Sequence, residues 1–266
     1  MEKEVKKNSK LGYSILLLII IIGIIILFIK YFSPYYLIQD RVDNIKKYKG
    51  NDDEDAIGWL RVQGTNIDFP IVYYDDTDVT NPDHDLGWSF SKDKTLTKKV
   101  TIYSHNVLNV SSNPIITDKN HSRFEQLMSF IYPSFLEKNK YIQYTVGGKN
   151  YLYKIYAVSF QKEEEVNEEK PLITDTQISE YIEKEQKNSY FKFDINVKPS
   201  DDLISLVTCT RFFGPTSEYS FVVDARRVRN EEKVKNYGIT EKKSYNRIKK
   251  IMEGEKEDDE DEQEKV

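Results

Sequence analysis

Leu203 to Arg211 reads LISLVTCTR. Leu203, Ile204, Leu206 and Val207 form a short apolar run with β-branched members, the mark of a buried strand. The run ends on Thr208-Cys209-Thr210, and Cys209 is the only cysteine in 266 residues. A single thiol cannot close an intramolecular disulfide. Its place at a strand end therefore means either packing, as a small hydrophobe, or chemistry.

A second strand-like run, Val100 to Tyr103, leads into Ser104-His105-Asn106. The thiolate is the reactive form of cysteine, and a neighbouring imidazolium favours it near neutral pH. The chain has three histidines, His84, His105 and His121, and only His105 follows directly on a strand-like run. His84 lies in Asn-Pro-Asp-His-Asp, the composition of an exposed turn. His121 stands at the entrance of an expected helix, where a capping or solvent role is the default.

The order Thr101-Ile102-Tyr103-Ser104-His105-Asn106, roughly a hundred residues, then Leu206-Val207-Thr208-Cys209 resembles the sortase family, the cysteine transpeptidases of Gram-positive cell surfaces. The usual family motif has glycine where this chain has Ser104. The stretch GWLRVQGTNIDFPIV, from Gly58, also resembles the opening strands of sortases. The resemblance implies a mainly β domain with a few helices, closed into a sortase-type β-barrel and preceded by an N-terminal transmembrane helix. It implies Cys209 as nucleophile and His105 as the acid that protonates the departing amine, with no cofactor or metal. It further implies cleavage of a sorting signal after threonine. The acyl group would pass to an amine from peptidoglycan or a pilin lysine, the partners being surface proteins or pilins that carry a C-terminal sorting signal.

The family carries an arginine just before the apolar run of its last strand, and this chain has Ser220 there, in Tyr219-Ser220-Phe221-Val222-Val223. If the backbone stays extended past Cys209, residues i and i+2 share a face, so Arg211 is the candidate replacement. Arg226 and Arg227 lie farther along, with solvent exposure or a salt bridge as their expected role. Ser220 also keeps two other readings in play: a non-catalytic or altered surface module, and a cysteine peptidase in which water takes the acyl group.

Outward from these motifs, Leu11 to Ile29 is uncharged and dominated by Ile and Leu. Its nineteen residues reach roughly 28 Å, close to the ~30 Å hydrocarbon core of a bilayer. Lys30-Tyr31-Phe32 follows, where a cleaved signal peptide would place small residues. The expectation is an uncleaved single-pass anchor, with residues 1–10 cytoplasmic and the catalytic domain extracellular. Lysines and arginines flank it on both sides in similar number, so the orientation rests on the family resemblance.

Residues 30–55 are expected to hold a juxtamembrane amphipathic helix, opened by Ser33-Pro34, carrying Ile38, Val42 and Ile45 on one face, and stopped at Gly50. The catalytic domain is expected over 56–229. Tyr141–Val146, Gly147-Gly148 and Tyr151–Phe160 read as a hairpin. Ile178, Tyr181 and Ile182 mark a helix capped by Thr174 or Asp175, and a long helix in this connection resembles class B sortases. The Glu163-Glu164-Glu165 run reads as a solvated face.

The formal net charge is -5 and charged residues are 31% of the chain. Much of the negative charge lies in residues 253–266, so 230–266 is expected to be a charged, largely disordered tail. The chain has no basic stripe and no zinc-spaced Cys/His set, which argues against nucleic acid as a partner.

Overall fold

The computed structural model describes residues 13–27, 38–48, 56–73, 87–89, 91–106, 124–167, 172, 174–214 and 218–254. The chain divides into two units, residues 1–39 with 233–236, and residues 40–232 with 237–266. In the first, residues 13–27 form a helix, α1, whose Ile and Leu side chains stand exposed. Among the described residues no helix is long and apolar enough to cross a membrane. The ends of the expected 11–29 anchor lie outside them, as do Ser33, Pro34 and Gly50.

The second unit begins with α2, Val42–Lys47, much shorter than the expected amphipathic helix and without a buried residue. Polar contacts tie this segment to the domain instead. Arg41 forks onto Asp68 with Nε and Nη2 at 2.9 and 2.6 Å, and Asn150 donates to Asp40 at 3.1 Å.

Eight strands then close a barrel: β1 Ala56–Val62, β2 Asp68–Tyr73, β3 Gly87–Ser89, β4 Lys99–Tyr103, β5 Tyr141–Val146, β6 Lys149–Lys162, β8 Leu203–Thr210 and β9 Tyr219–Arg227, in the order β1-β2-β3-β4-β8-β9-β6-β5. Most neighbours are antiparallel; β2–β3 and β4–β8 are parallel. Pro70 raised the expectation of an edge or a bulge. β2 is interior, yet its described pairing with β3 starts only at Ile71, so proline sits where that side needs no ladder bond.

Alternation decides what each strand buries. Ile102, Ile204, Leu206, Phe221 and Val223 share one face across β4, β8 and β9, and all are fully buried. Each such side chain contributes about 1.5–3 kcal/mol by leaving water. The hairpin β5–β6 turns on Gly147 and Gly148, both at positive φ (58° and 74°), the backbone that a two-residue turn of this hand requires.

A 3-10 helix, Glu125–Ile131, and the short α3, Pro133–Leu136, fill the connection after β4, where the spacing of Phe124, Leu127 and Ile131 predicts a helix broken at Pro133. Between β6 and β8 lie α4, Glu163–Asn167, and α5, Asp175–Asn188, with the short strand β7, Phe191–Phe193, after them. Thr174 caps α5: its side chain accepts from the Gln177 N–H while Gln177 reaches back to the Thr174 N–H. Ile178 and Ile182 press α5 onto Tyr156, Ala157 and Leu203.

The chain after 229 departs from expectation. It supplies β10, Ile239–Glu241, which pairs with β7, and α6, Tyr245–Met252. Three apolar anchors outweigh the surrounding charge. Tyr237 donates to the carbonyls of Lys140 and Ile155, both at 2.9 Å, Tyr245 lies tilted against Phe191 with ring centres 4.9 Å apart, and Ile248 is fully buried. Residues 255–266 lie outside the described set.

Candidate active site

The parallel pairing of β4 with β8 places the two strand-end motifs side by side. Tyr103 is in register with Val207, so two residues farther on His105, just past the end of β4, stands level with Cys209 near the end of β8. Two bonds fasten these ends: Thr208 Oγ1 donates to the Ser104 carbonyl at 2.7 Å, in a buried setting, and the Ser104 N–H reaches the Val207 carbonyl at 3.3 Å. Beyond His105, the Phe124 N–H donates to its carbonyl at 2.9 Å, which fixes the loop backbone. Trp88 lies tilted against the imidazole, ring centres 4.9 Å apart, and is itself anchored with Val72, Tyr103, Val166, Val207 and Val222. Trp88 thus pins its segment to the core.

The result is a narrow cleft, open to solvent, in which His105 and Cys209 share walls with Trp88, Tyr103, Glu163 and Ser220. Cys209 is the exposed residue between buried Thr208 and Thr210. The walls still take water from the sulfur, and this burial pushes the thiol up to about 11. The Glu163 carboxylate pushes in the same direction, while Arg211 partly offsets it. Near neutral pH the resting cleft therefore holds a thiol.

Ser220 stands directly opposite Cys209 in the β8–β9 ladder and is buried. An uncharged hydroxyl occupies the position where the family has its arginine. Arg211 follows the last residue of β8, is exposed, and opens a tight turn closed by the Gly214 N–H on its carbonyl at 3.0 Å. Arg226 and Arg227 are far along β9 and make ion pairs, with Glu232 and Asp202. His84 and His121 lie outside the described residues.

Glu163 is the cleft residue that the sequence did not single out. Glu164 and Glu165 behave as the solvated face expected of all three, pairing at the surface with Lys162 and Lys184 at 3.8 and 3.6 Å. Glu163 turns inward because β6 pairs with β9 up to Lys162–Tyr219, and Gln161–Ser220 continues the Ser220–Cys209 row. That long-range pairing carries no local signature. Among the described residues, no three His, Cys, Asp or Glu side chains gather to hold a metal ion.

A family model for the sortase domain matches residues 60–228, more than half of the chain. The chain belongs to the sortase family. Its relatives include sortase B of Listeria monocytogenes, 25% identical over 182 residues that cover 65% of this chain and 68% of that one. Sortase B of Staphylococcus aureus is 21% identical over 174 residues, 64% of this chain and 69% of the relative. The crystal structure of Clostridium perfringens sortase B superposes with a TM-score of 0.53 at 22% identity, covering 71% of this chain and 98% of that one. The sortase barrel is thus the fold, the likeness is to class B, and the family's activity is that of a cysteine transpeptidase.

Proposed function

We propose that Cys209, His105 and Arg211 carry out transpeptidation on a threonine-containing sorting signal. The Cys209 thiol gives its proton to His105, the thiolate attacks the threonine carbonyl, the C–N bond breaks, and the resulting imidazolium gives that proton to the departing amine. The acyl-thioester is then resolved by an amine of peptidoglycan or of a pilin lysine. Arg211 offers its guanidinium to the oxygen that becomes negative during attack. Its charge already reaches the sulfur, and it follows Cys209 by two residues.

The observation that carries this reading is the parallel β4–β8 register, which delivers a histidine and the chain's single cysteine into one cleft. Residues 11–29 anchor the enzyme by a single pass, with residues 1–10 inside and the catalytic domain outside, where surface proteins bearing sorting signals emerge. The test is mass spectrometry of the full chain mixed with a sorting-signal peptide. An adduct on Cys209, absent in Cys209→Ala and His105→Ala, is expected. No adduct on the unsubstituted chain would refute the proposal.

A further inference from the structure

Glu163 lies where the acyl-enzyme mechanism creates a vacancy of charge. In the resting cleft its half-buried carboxylate shares the walls with Cys209 and His105 and disfavours the thiolate. Acylation replaces the thiol hydrogen by the acyl carbon, and the carboxylate remains beside it in a partly dehydrated cleft. A carboxylate so placed favours a new cationic donor. The position next to the sulfur is also where an incoming nucleophile must pass to reach the thioester carbon.

We propose that Glu163 is the nucleophile-binding residue of this transpeptidase: once Cys209 is acylated, its carboxylate seats the primary ammonium of the incoming chain against the thioester. The inference rests on the transpeptidase reading above. The step balances as follows. The ammonium passes one proton to the Glu163 carboxylate, and the amine nitrogen attacks the thioester carbon. The C–S bond breaks with its electron pair on sulfur, and a second nitrogen proton goes to His105, which the first half-reaction left neutral. The amide keeps one N–H, the imidazolium hands its proton to the departing sulfur so that the resting thiol is restored, and Glu163 returns its proton to solvent. Water offers no cation to the carboxylate, so the same residue favours transfer over hydrolysis.

Among the described residues that line the cleft, the titratable groups besides Cys209 and Glu163 are His105 and Tyr103, whose phenol burial pushes up to about 12. None of these is an anion near neutral pH. Glu163 is thus the carboxylate among the cleft walls.

The test separates the two half-reactions in the detergent-solubilised full chain. Acyl-enzyme is formed with a sorting-signal peptide and resolved either by triglycine, whose amine is cationic, or by hydroxylamine, which is uncharged at neutral pH. In Glu163→Gln the KM for triglycine is expected to rise about tenfold, the loss of one charge-assisted contact, with kcat/KM for hydroxylamine unchanged. Glu163→Asp should recover part of the triglycine affinity. Iodoacetamide should also alkylate Cys209 faster in Glu163→Gln below pH 9, because the carboxylate no longer holds the proton on sulfur. An effect equal for both nucleophiles, or none for triglycine, would overturn the inference and leave the transpeptidase reading standing. Absence of acyl-enzyme in the unsubstituted chain would remove both.

Discussion

The two ends of the β8–β9 ladder treat positive charge in opposite ways. At one end Leu203 pairs with Arg226, whose side chain is 2% exposed and saturated with partners. Its Nη2 donates to Glu232 at 2.8 Å and its Nε to the Asn196 carbonyl at 3.0 Å, with Asp201 at 3.8 Å. Lys154 and Arg229 close the cluster on Glu232 and Asp201 at 2.6 and 2.7 Å. At the other end Cys209 pairs with Ser220, and the nearest arginine, Arg211, has left the strand and stands exposed. One guanidinium is locked into the fold; the other belongs to an exposed residue just past the strand end. An arginine in a strand-rich chain takes its role from the row in which the sheet sets it.

The largest expected effect sharpens this contrast at the cleft end. Cys209→Ala and His105→Ala should each abolish acyl-enzyme formation, with losses that do not add when combined. The thermal transition should stay close to that of the parent, since an exposed strand-end thiol leaves no cavity behind. A fall in melting temperature with turnover retained would make Cys209 a packing residue.

At the opposite end the pattern reverses. Arg226→Ala takes from Glu232 the guanidinium that holds it by two bonds and leaves a void in its place, a change that costs about 3–5 kcal/mol. A drop in Tm of roughly 10 °C follows for a domain of this size. Scanning calorimetry checks it, with acylation of the surviving folded fraction near normal. A large loss of acylation at unchanged Tm would mean that Arg226 serves the chemistry and that the contrast between the ends is misdrawn.

Arg211→Lys comes next. A flexible ammonium cannot aim two donors at one oxygen as a planar guanidinium can, so turnover should fall about a hundredfold, roughly 3 kcal/mol, with Tm unchanged. Ser220→Arg should restore only part of the rate in that background. Full activity of Arg211→Lys would mean that this sortase works without the family's arginine.

These expectations also mark what sequence alone can reach. The strand-end motifs around His105 and Cys209 were legible because strand, turn and reactive residue are adjacent in the chain, and the Gly147-Gly148 hairpin was legible for the same reason. The barrel seam β6–β9 joins residues about sixty apart with no local signature. Both Glu163 in the cleft and the burial of Arg226 follow from that seam. The segment after 229 misled in the opposite sense. Its charge is conspicuous, whereas the anchoring of Tyr237, Tyr245 and Ile248 depends on hollows supplied by other elements.

The smallest effect concerns acid stability and comes from the paired end alone. Hydrogen bonds from Arg226, then Lys154 and the Arg229 backbone, hold the Glu232 carboxyl down to about 2 from its ordinary value of 4.5. A depressed folded-state pKa means that the ionised form stabilises the fold. This contribution is complete above about pH 4.5 and is lost as pH falls toward 2. Glu232 is 22% exposed and shares its cations with Asp201, so solvent screening keeps the contribution near ~1 kcal/mol. Denaturant titrations from pH 6 to pH 2 on the parent and on Glu232→Gln should therefore differ by about that amount at pH 6 and converge at the acid end. Opposite Cys209 the ladder sets the uncharged Ser220, so Ser220→Ala should leave the slope of stability against pH unchanged over the same range. Parallel curves for the parent and Glu232→Gln would show that Arg226 draws its stability from Asp201 and the Asn196 carbonyl instead.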